Sequence, residues 1–430
     1  MGQQVVEALD ALRQLGTPDQ MRALARRISP PRPLPRVNSH IHLPPNFSAF
    51  ESVAQAVNLA AEQGMAALGI GNYYDYEVYG NFAQCARQKG IFPLFGTEII
   101  CLDEGLRDAG IKINDPGNPG KIYFCGKGIT RFDAMTPEAT RLIGVIRRND
   151  STRMAQMVER MERIFAERGL PTDIDEAAVI QMIVRRHGSD RNTVYLQERH
   201  VAQAFQETLF ARVPAEPRLE RLNAVLRAST KARNPDDFVT MQNDIRSHLM
   251  KAGKPAFVEE TFVSFDHAHR LVLELGGLPC YPTLVDGASP VAQFEASPDK
   301  LIAEIQARNM HAVEWITIRN KADVVRTYAT KMRAAGLVVT AGTEHNTLDL
   351  IPLDPFCQDG DMPDDLRALF WEGACVVAGH QFLSLHGECG FVDAEGNPNP
   401  DYASAEERIQ ALAGIGAAVM QRYRETCGGN

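Results

Sequence analysis

Arg36-Val37-Asn38-Ser39-His40-Ile41-His42 follows a proline-rich entry (Pro31, Pro33, Pro35) and reads as a short strand ending in His-x-His. Residues two apart in a strand point to the same side. His40 and His42 therefore present two imidazoles to one cation, and imidazole is a common ligand of zinc, iron and manganese-type ions. A lone His-x-His is as readily a packing pair. Here, however, later strand ends also finish in candidate ligands.

Outward from this run the chain alternates between the two hydrophobic periods. Val37 to Ile41 reads as a strand, Ser52 to Gln63 as a helix capped by Ser48 or Ser52, and Met65 to Ile70 as an apolar strand. Asn81 to Lys89 is helical, Ile91 to Phe95 runs as a strand into Gly96-Thr97-Glu98, and Lys121 to Cys125 is a further strand. From about Thr136 to Ala256 long helical patterns rich in Arg, Glu and Met replace the alternation. It then resumes with strands at Gly277 to Pro282, Ala312 to Ile316 and Leu337 to Ala341, the last running into Gly342-Thr343-Glu344-His345-Asn346. Such alternation predicts a parallel sheet with right-handed crossovers, which a barrel closes economically. Chemistry in barrels collects at the C-terminal strand ends, where His40, His42, Asn72 and Glu98 fall. The expected organisation is a helical extension over 1–35, a first barrel part over 36–135, a helical insertion over 136–256, a second barrel part over 257–350 and a C-terminal segment over 351–430.

The 430 residues suffice for a large core. A composition of 44% hydrophobic and 23% charged residues places the chain among ordinary globular proteins. A net charge of −9 argues against a nucleic-acid surface, which needs clustered Lys and Arg. No window reads as a membrane span and no secretory signal is visible at Met1-Gly2-Gln3-Gln4. Eight scattered cysteines without a Cys-x-x-Cys pair indicate neither a zinc ribbon nor a disulfide scaffold. The expectation is a cytoplasmic protein with no nucleic-acid or membrane partner.

The order of motifs resembles the PHP (polymerase and histidinol phosphatase) family of metal-dependent phosphoesterases, relatives of the amidohydrolases. The resemblance runs from about Asn38 to Asn346 and includes Leu196-Gln197-Glu198-Arg199-His200, similar to that family's Arg/His-bearing helix of the inserted subdomain. It implies an α/β fold: a distorted (β/α)7 TIM-like barrel of the PHP type with a helical insertion and a C-terminal helical tail. The family pattern places His-x-His after the first strand, Asp-His after the second and Glu after the third, then a His, a His-Pro and an Asp-x-His. His40 and His42 match the first motif and Glu98 the third, while Glu344 takes the place of the final Asp. Asn72-Tyr73 replaces Asp-His, Lys121 stands near the expected His, Tyr281-Pro282 replaces His-Pro, and Asn346 replaces the last His beside His345.

Carried over in this way, the resemblance implies a divalent metal held by His40, His42, Glu98 and Glu344. Two imidazoles and two carboxylates suit zinc, manganese or iron. The other family sites have lost most of their imidazoles, and a lysine at 121 puts positive charge where a second cation belongs. One metal per chain is expected. Glu344, His345, Lys121 and Tyr281 are the candidate catalytic groups. Arg199, His200, Asn72 and Tyr73 are candidate substrate contacts, Arg199 and His200 for an anion; Arg153 and Arg319 are weaker candidates. His380 reads as a core or supporting residue. The implied function is hydrolysis of a small phosphate ester through a metal-activated water. The alternatives are a single-metal amidohydrolase or sugar-acid isomerase type of enzyme, or a non-catalytic ligand-binding relative.

Overall fold

A computed structural model of the chain describes residues 3–29 and 31–427. Eight strands form one sheet: β1 (Arg36–Ile41), β2 (Met65–Ile70), β3 (Phe92–Leu102), β4 (Lys121–Lys127), β5 (Val263–Ser264), β6 (Leu278–Thr283), β7 (Ala312–Trp315) and β8 (Val338–Ala341). Their order is β1-β2-β3-β4-β6-β7-β8, with β5 added to the outer part of β3. A parallel bridge between Ile41 and Glu344 joins the two ends of this row. The result is a mixed α/β architecture with a nearly closed, seven-strand barrel-like sheet.

One strand departs from the all-parallel expectation. β4 runs antiparallel to both β3 and β6, pairing Glu98 with Cys125 and Cys125 with Cys280. A parallel step needs a crossover long enough to return the chain, usually a full helix. Between β3 and β4 the only helix is the five-residue Glu104–Asp108, so the chain doubles back. Lys121 therefore lies opposite Leu102 at the outer end of the pair, and Lys127 opposite Gly96 within the barrel.

Helices cover the sheet as the apolar periodicity requires. Val53–Glu62 starts at Ser52, whose hydroxyl accepts from the Gln55 N–H at 3.2 Å, and buries Val53, Ala56, Val57 and Ala60. Asp364–Leu385 is buried on nearly every side, which explains its lack of an amphipathic stripe. A side chain at Gly373 would meet the Val339 carbonyl at 1.9 Å, so glycine there lets the helix lie directly on β8. Among the described residues no helix is long and apolar enough to cross a membrane.

Pro44–Glu51 and Gly144–Phe262 form a second compact unit. Its core joins Met154, Met157, Met161, Phe165, Phe205, Leu209, Met241 and Leu249. Beside this core Glu198 receives Arg153 at 2.7 Å and Lys251 at 2.8 Å. Burial alone would raise the Glu198 carboxyl, but the two cations outweigh it and hold it down at about 2. Its native pKa lies below the ordinary value, so the native state binds fewer protons than the unfolded chain between these values. The stabilisation is full above the unfolded pKa and fades as the pH falls towards 2. Glu198→Gln is expected to cost about 3 kcal/mol at pH 7 and to flatten the acid dependence. Urea denaturation at pH 7 and pH 3, read by hydrogen exchange in the helix Glu198–Arg212, checks this. Equal acid slopes in parent and variant would refute it.

Candidate metal centre

β1 places His40 and His42 on one face two residues apart, and β3 brings Glu98 to meet them. His40 Nε2 lies 3.3 Å and His42 Nε2 3.2 Å from Glu98 Oε2. All three side chains are buried. The ligand atoms of a tetrahedral ion bound at about 2.0–2.1 Å are separated by about 3.3–3.4 Å, so the spacing matches a shared cation. His40 Nε2 and Glu98 Oε2 approach each other without an aligned hydrogen bond and have no other hydrogen-bond partner among the described residues. Buried polar atoms are rarely left in that condition, and a cation would satisfy both. Burial pushes the Glu98 carboxyl up, but the facing imidazoles override this and keep it below the ordinary carboxylate range.

A second layer fixes these groups. Glu314 of β7 takes the other ring nitrogen of His40, Nδ1, at 2.6 Å. A carboxylate in that position selects the tautomer whose Nε2 lone pair faces the ligand cluster. Lys127 Nζ in turn binds Glu314 and donates to the Ser39 carbonyl at 3.2 Å. Burial disfavours charge on His40, yet Glu314 outweighs this and raises it to about 9. A cation binding there therefore competes with a proton. Tyr73 donates to Glu98 Oε1 at 2.5 Å and stacks on His42 with ring centroids 5.0 Å apart. Gly71 and Gly342 leave the room that His40 needs, since a Cβ at Gly71 would sit 2.5 Å from the ring Nε2 and one at Gly342 2.5 Å from the His40 Cβ. His40, Cys125 and Glu314 form a second group of close ligand atoms, but the Lys127 ammonium already neutralises Glu314 within it.

Glu344 sits directly beside β1. Its N–H donates to the His40 carbonyl at 2.9 Å and its carbonyl accepts from the His42 N–H at 2.8 Å. Glu344 and His345 both adopt positive φ, +57° and +51°, a conformation that costs non-glycine residues energy and persists only where its surroundings impose it. The Glu344 carboxylate points to Arg319, which grips it with both terminal nitrogens, and accepts from Asn346 Nδ2 at 2.8 Å. It is thus outside the close group of His40, His42 and Glu98. His345 packs against Thr343 Oγ1 at 2.7 Å and the Ile351 carbonyl at 3.0 Å, and burial lowers it to about 4.

The remaining sequence candidates are dispersed. Asn72 exchanges two 2.8 Å hydrogen bonds with the backbone of Leu43, tying the ends of β1 and β2 together. Lys121 pairs with Asp115 at 3.2 Å. Tyr281 is in register with Val313, one residue from the Pro282–Glu314 pair. Alternation along a strand turns it to the face opposite Glu314, where its hydroxyl donates to Glu295 at 2.9 Å. Arg199 and His200 belong to the helical unit. There His200 Nδ1 accepts from the Gln197 N–H at 3.1 Å, and Arg199 lies over the Phe47 ring. Burial and nearby cations lower His200 to about 3. Arg153 pairs with Glu198, and His380 bridges the Gly276 carbonyl and the Phe391 N–H.

Sequence reasoning passed over Glu314 and Lys127. Glu314 was legible as one carboxylate in the otherwise apolar Ala312-Val313-Glu314-Trp315. Lys127 lay two residues past the strand end read at Cys125, and only the reversal of β4 carries it inward.

No family model and no curated protein matches this sequence. A solved structure from Bifidobacterium adolescentis, provisionally named a metal-dependent phosphoesterase, superposes with a TM-score of 0.51 at 16% identity, covering 79% of this chain and 96% of that one. An amidohydrolase from Chromobacterium violaceum, with bound sulfate and no metal, gives a TM-score of 0.49 at 16% identity over 78% and 95% of the two chains. The first likeness shows a shared fold.

Proposed function

We propose that this chain is a divalent-metal-dependent hydrolase, a divergent relative of the PHP phosphoesterases that cleaves a small phosphate ester. The observation that carries the reading is the convergence of His40, His42 and Glu98 at ligand spacing, backed by Glu314 and Tyr73. Zinc, manganese or iron fits two imidazoles and a carboxylate, and Glu344 is the fourth donor once its side chain turns from Arg319. A divalent ion in such a site acidifies a water and polarises the bond to be cleaved. The protein's own part is to hold His40 in one tautomer through Glu314, to fix Glu98 through Tyr73, and to keep both in a buried, rigid frame. Lys127 at Glu314 supports a count of one metal, because its ammonium supplies the charge a second cation would bring. That same feature favours a second reading, single-metal amide hydrolysis, since phosphoryl transfer gains most from two metals.

Metal analysis of protein purified without added metal, beside His40→Ala, tests the reading. About one equivalent in the parent, lost in the variant, is expected for a single site with an open position. The loaded parent is then expected to release inorganic phosphate from members of a phosphomonoester panel. Turnover of amides without phosphate release would select the second reading. A metal-free parent would refute both.

A further inference from the structure

We propose that Arg319 is the receptor for the substrate's phosphoryl group and that Glu344 masks it until the carboxylate turns to the cation; this rests on the metal reading given above. Arg319 follows β7 by four residues and so stands at a C-terminal strand end, where ligands of such sheets collect. Its side chain is 41% exposed while that of Glu344 is 11% exposed, so the guanidinium keeps an open face towards solvent. Among the described residues its only hydrogen-bond and ion-pair partner is Glu344.

Glu344 in turn is bridged to β1 between the two histidines. One carboxylate thus stands within reach of two cationic claims, the arginine it now holds and the ion that His40, His42 and Glu98 would bind. Its backbone is fixed on both sides, so a change of partner is a side-chain rotation that gives up the Arg319 and Asn346 hydrogen bonds. When Glu344 joins the cation, the arginine fork loses its hydrogen-bonded counter-ion, and the Glu98 carboxylate that also acts on it is itself engaged at the cation. A planar fork of N–H donors matches phosphoryl oxygens two at a time. Cation binding would then create the anion receptor, and a phosphate ester would be held only by the loaded protein.

Calorimetric titration of inorganic phosphate into the metal-free, full-length chain tests this. Metal-free Glu344→Gln is expected to bind phosphate at least about tenfold tighter than the metal-free parent, the worth of a charge-assisted hydrogen-bonded pair. The gain is expected to vanish in Glu344→Gln/Arg319→Gln. Equal affinity in the single and double variants overturns the proposal. Titration with zinc alone is expected to show tighter binding in Arg319→Gln than in the parent, because Glu344 is released; unchanged or weaker binding overturns the masking role. A parent that takes no zinc defeats the metal reading, while the phosphate comparison on metal-free proteins still decides whether Arg319 receives the anion. Should Glu344→Gln fail to fold, zinc-loaded Arg319→Lys is expected to bind phosphate about tenfold more weakly than the zinc-loaded parent, and equal affinity overturns the proposal.

Discussion

Lys127→Met is expected to destabilise the chain by about 3–5 kcal/mol, the cost of leaving one partner of a buried ion pair uncompensated. The lysine and glutamate side chains are 4% and 0% exposed, so water cannot replace the lost ammonium. Burial disfavours charge on Lys127, yet Glu314 outweighs it and raises the amine above its ordinary value; the reciprocal attraction keeps Glu314 below its own. Removing the amine leaves Glu314 facing only His40. Lys127→Met/Glu314→Leu is expected to recover a large part of the loss, because an apolar pair of similar volume often serves a core as well as an ion pair. Chemical denaturation of the parent and both variants at pH 7 measures this. A single variant within about 1 kcal/mol of the parent, the range of an ordinary point substitution, would show that the pair does not hold the barrel floor together. The double variant has a further consequence: without Glu314 the His40 ring loses its orienting acceptor, so recovered stability should come with weakened metal binding.

Glu98→Gln is expected to reduce divalent-metal affinity by more than ~100-fold, beyond the loss usual for a supporting residue. The substitution keeps the shape of the side chain, and the amide oxygen still accepts from Tyr73. It removes the one negative charge that meets both imidazoles. Glu314→Gln, acting only through His40, is expected to lose ~10–100-fold. Zinc competition against a chromophoric chelator gives both values. A second readout is thermal: a ligand that binds only the native state raises the melting temperature with its concentration, so zinc should stabilise the parent and leave Glu98→Gln unmoved. Parent-like zinc affinity in Glu98→Gln would remove Glu98 from the ligand set, and a Glu314→Gln loss as large as that of Glu98→Gln would mean that Glu314 contacts the ion itself.

The sequence carried the barrel's parallel arms well, because β2, β6, β7 and β8 are short, largely apolar runs and the helices after β2, β6 and β7 keep a helical period, while β1 was marked by its His-x-His end. His40, His42 and Glu98 were legible because strand periodicity and strand ends are local properties. What stayed hidden depends on direction and parity. A connection without a full helix turned β4 around, moving Lys121 outward to Asp115 and Lys127 inward to Glu314. Tyr281 and Glu314 lie on opposite faces of adjacent strands, which no local pattern states without the register. Which partner the Glu344 side chain chooses is also a tertiary matter, since Arg319 is 25 residues away in sequence.

The reversal of β4 has a developmental consequence for any lineage of such proteins. It separates the rim of the centre from its floor. Lys127 and Glu314, which hold the floor, lie inside paired strands, where insertion or deletion shifts the register of every neighbour. The connection from Asp103 to Gly120 lies at the outer end of the β3–β4 pair, beside β5, and is anchored by Asn114, whose side chain bonds the backbone of Tyr123 and Pro282; residues added between such anchors lie outside every paired strand and shift no register. A change in the length of that connection can therefore alter what approaches the centre while the residues placed to hold a cation keep their register.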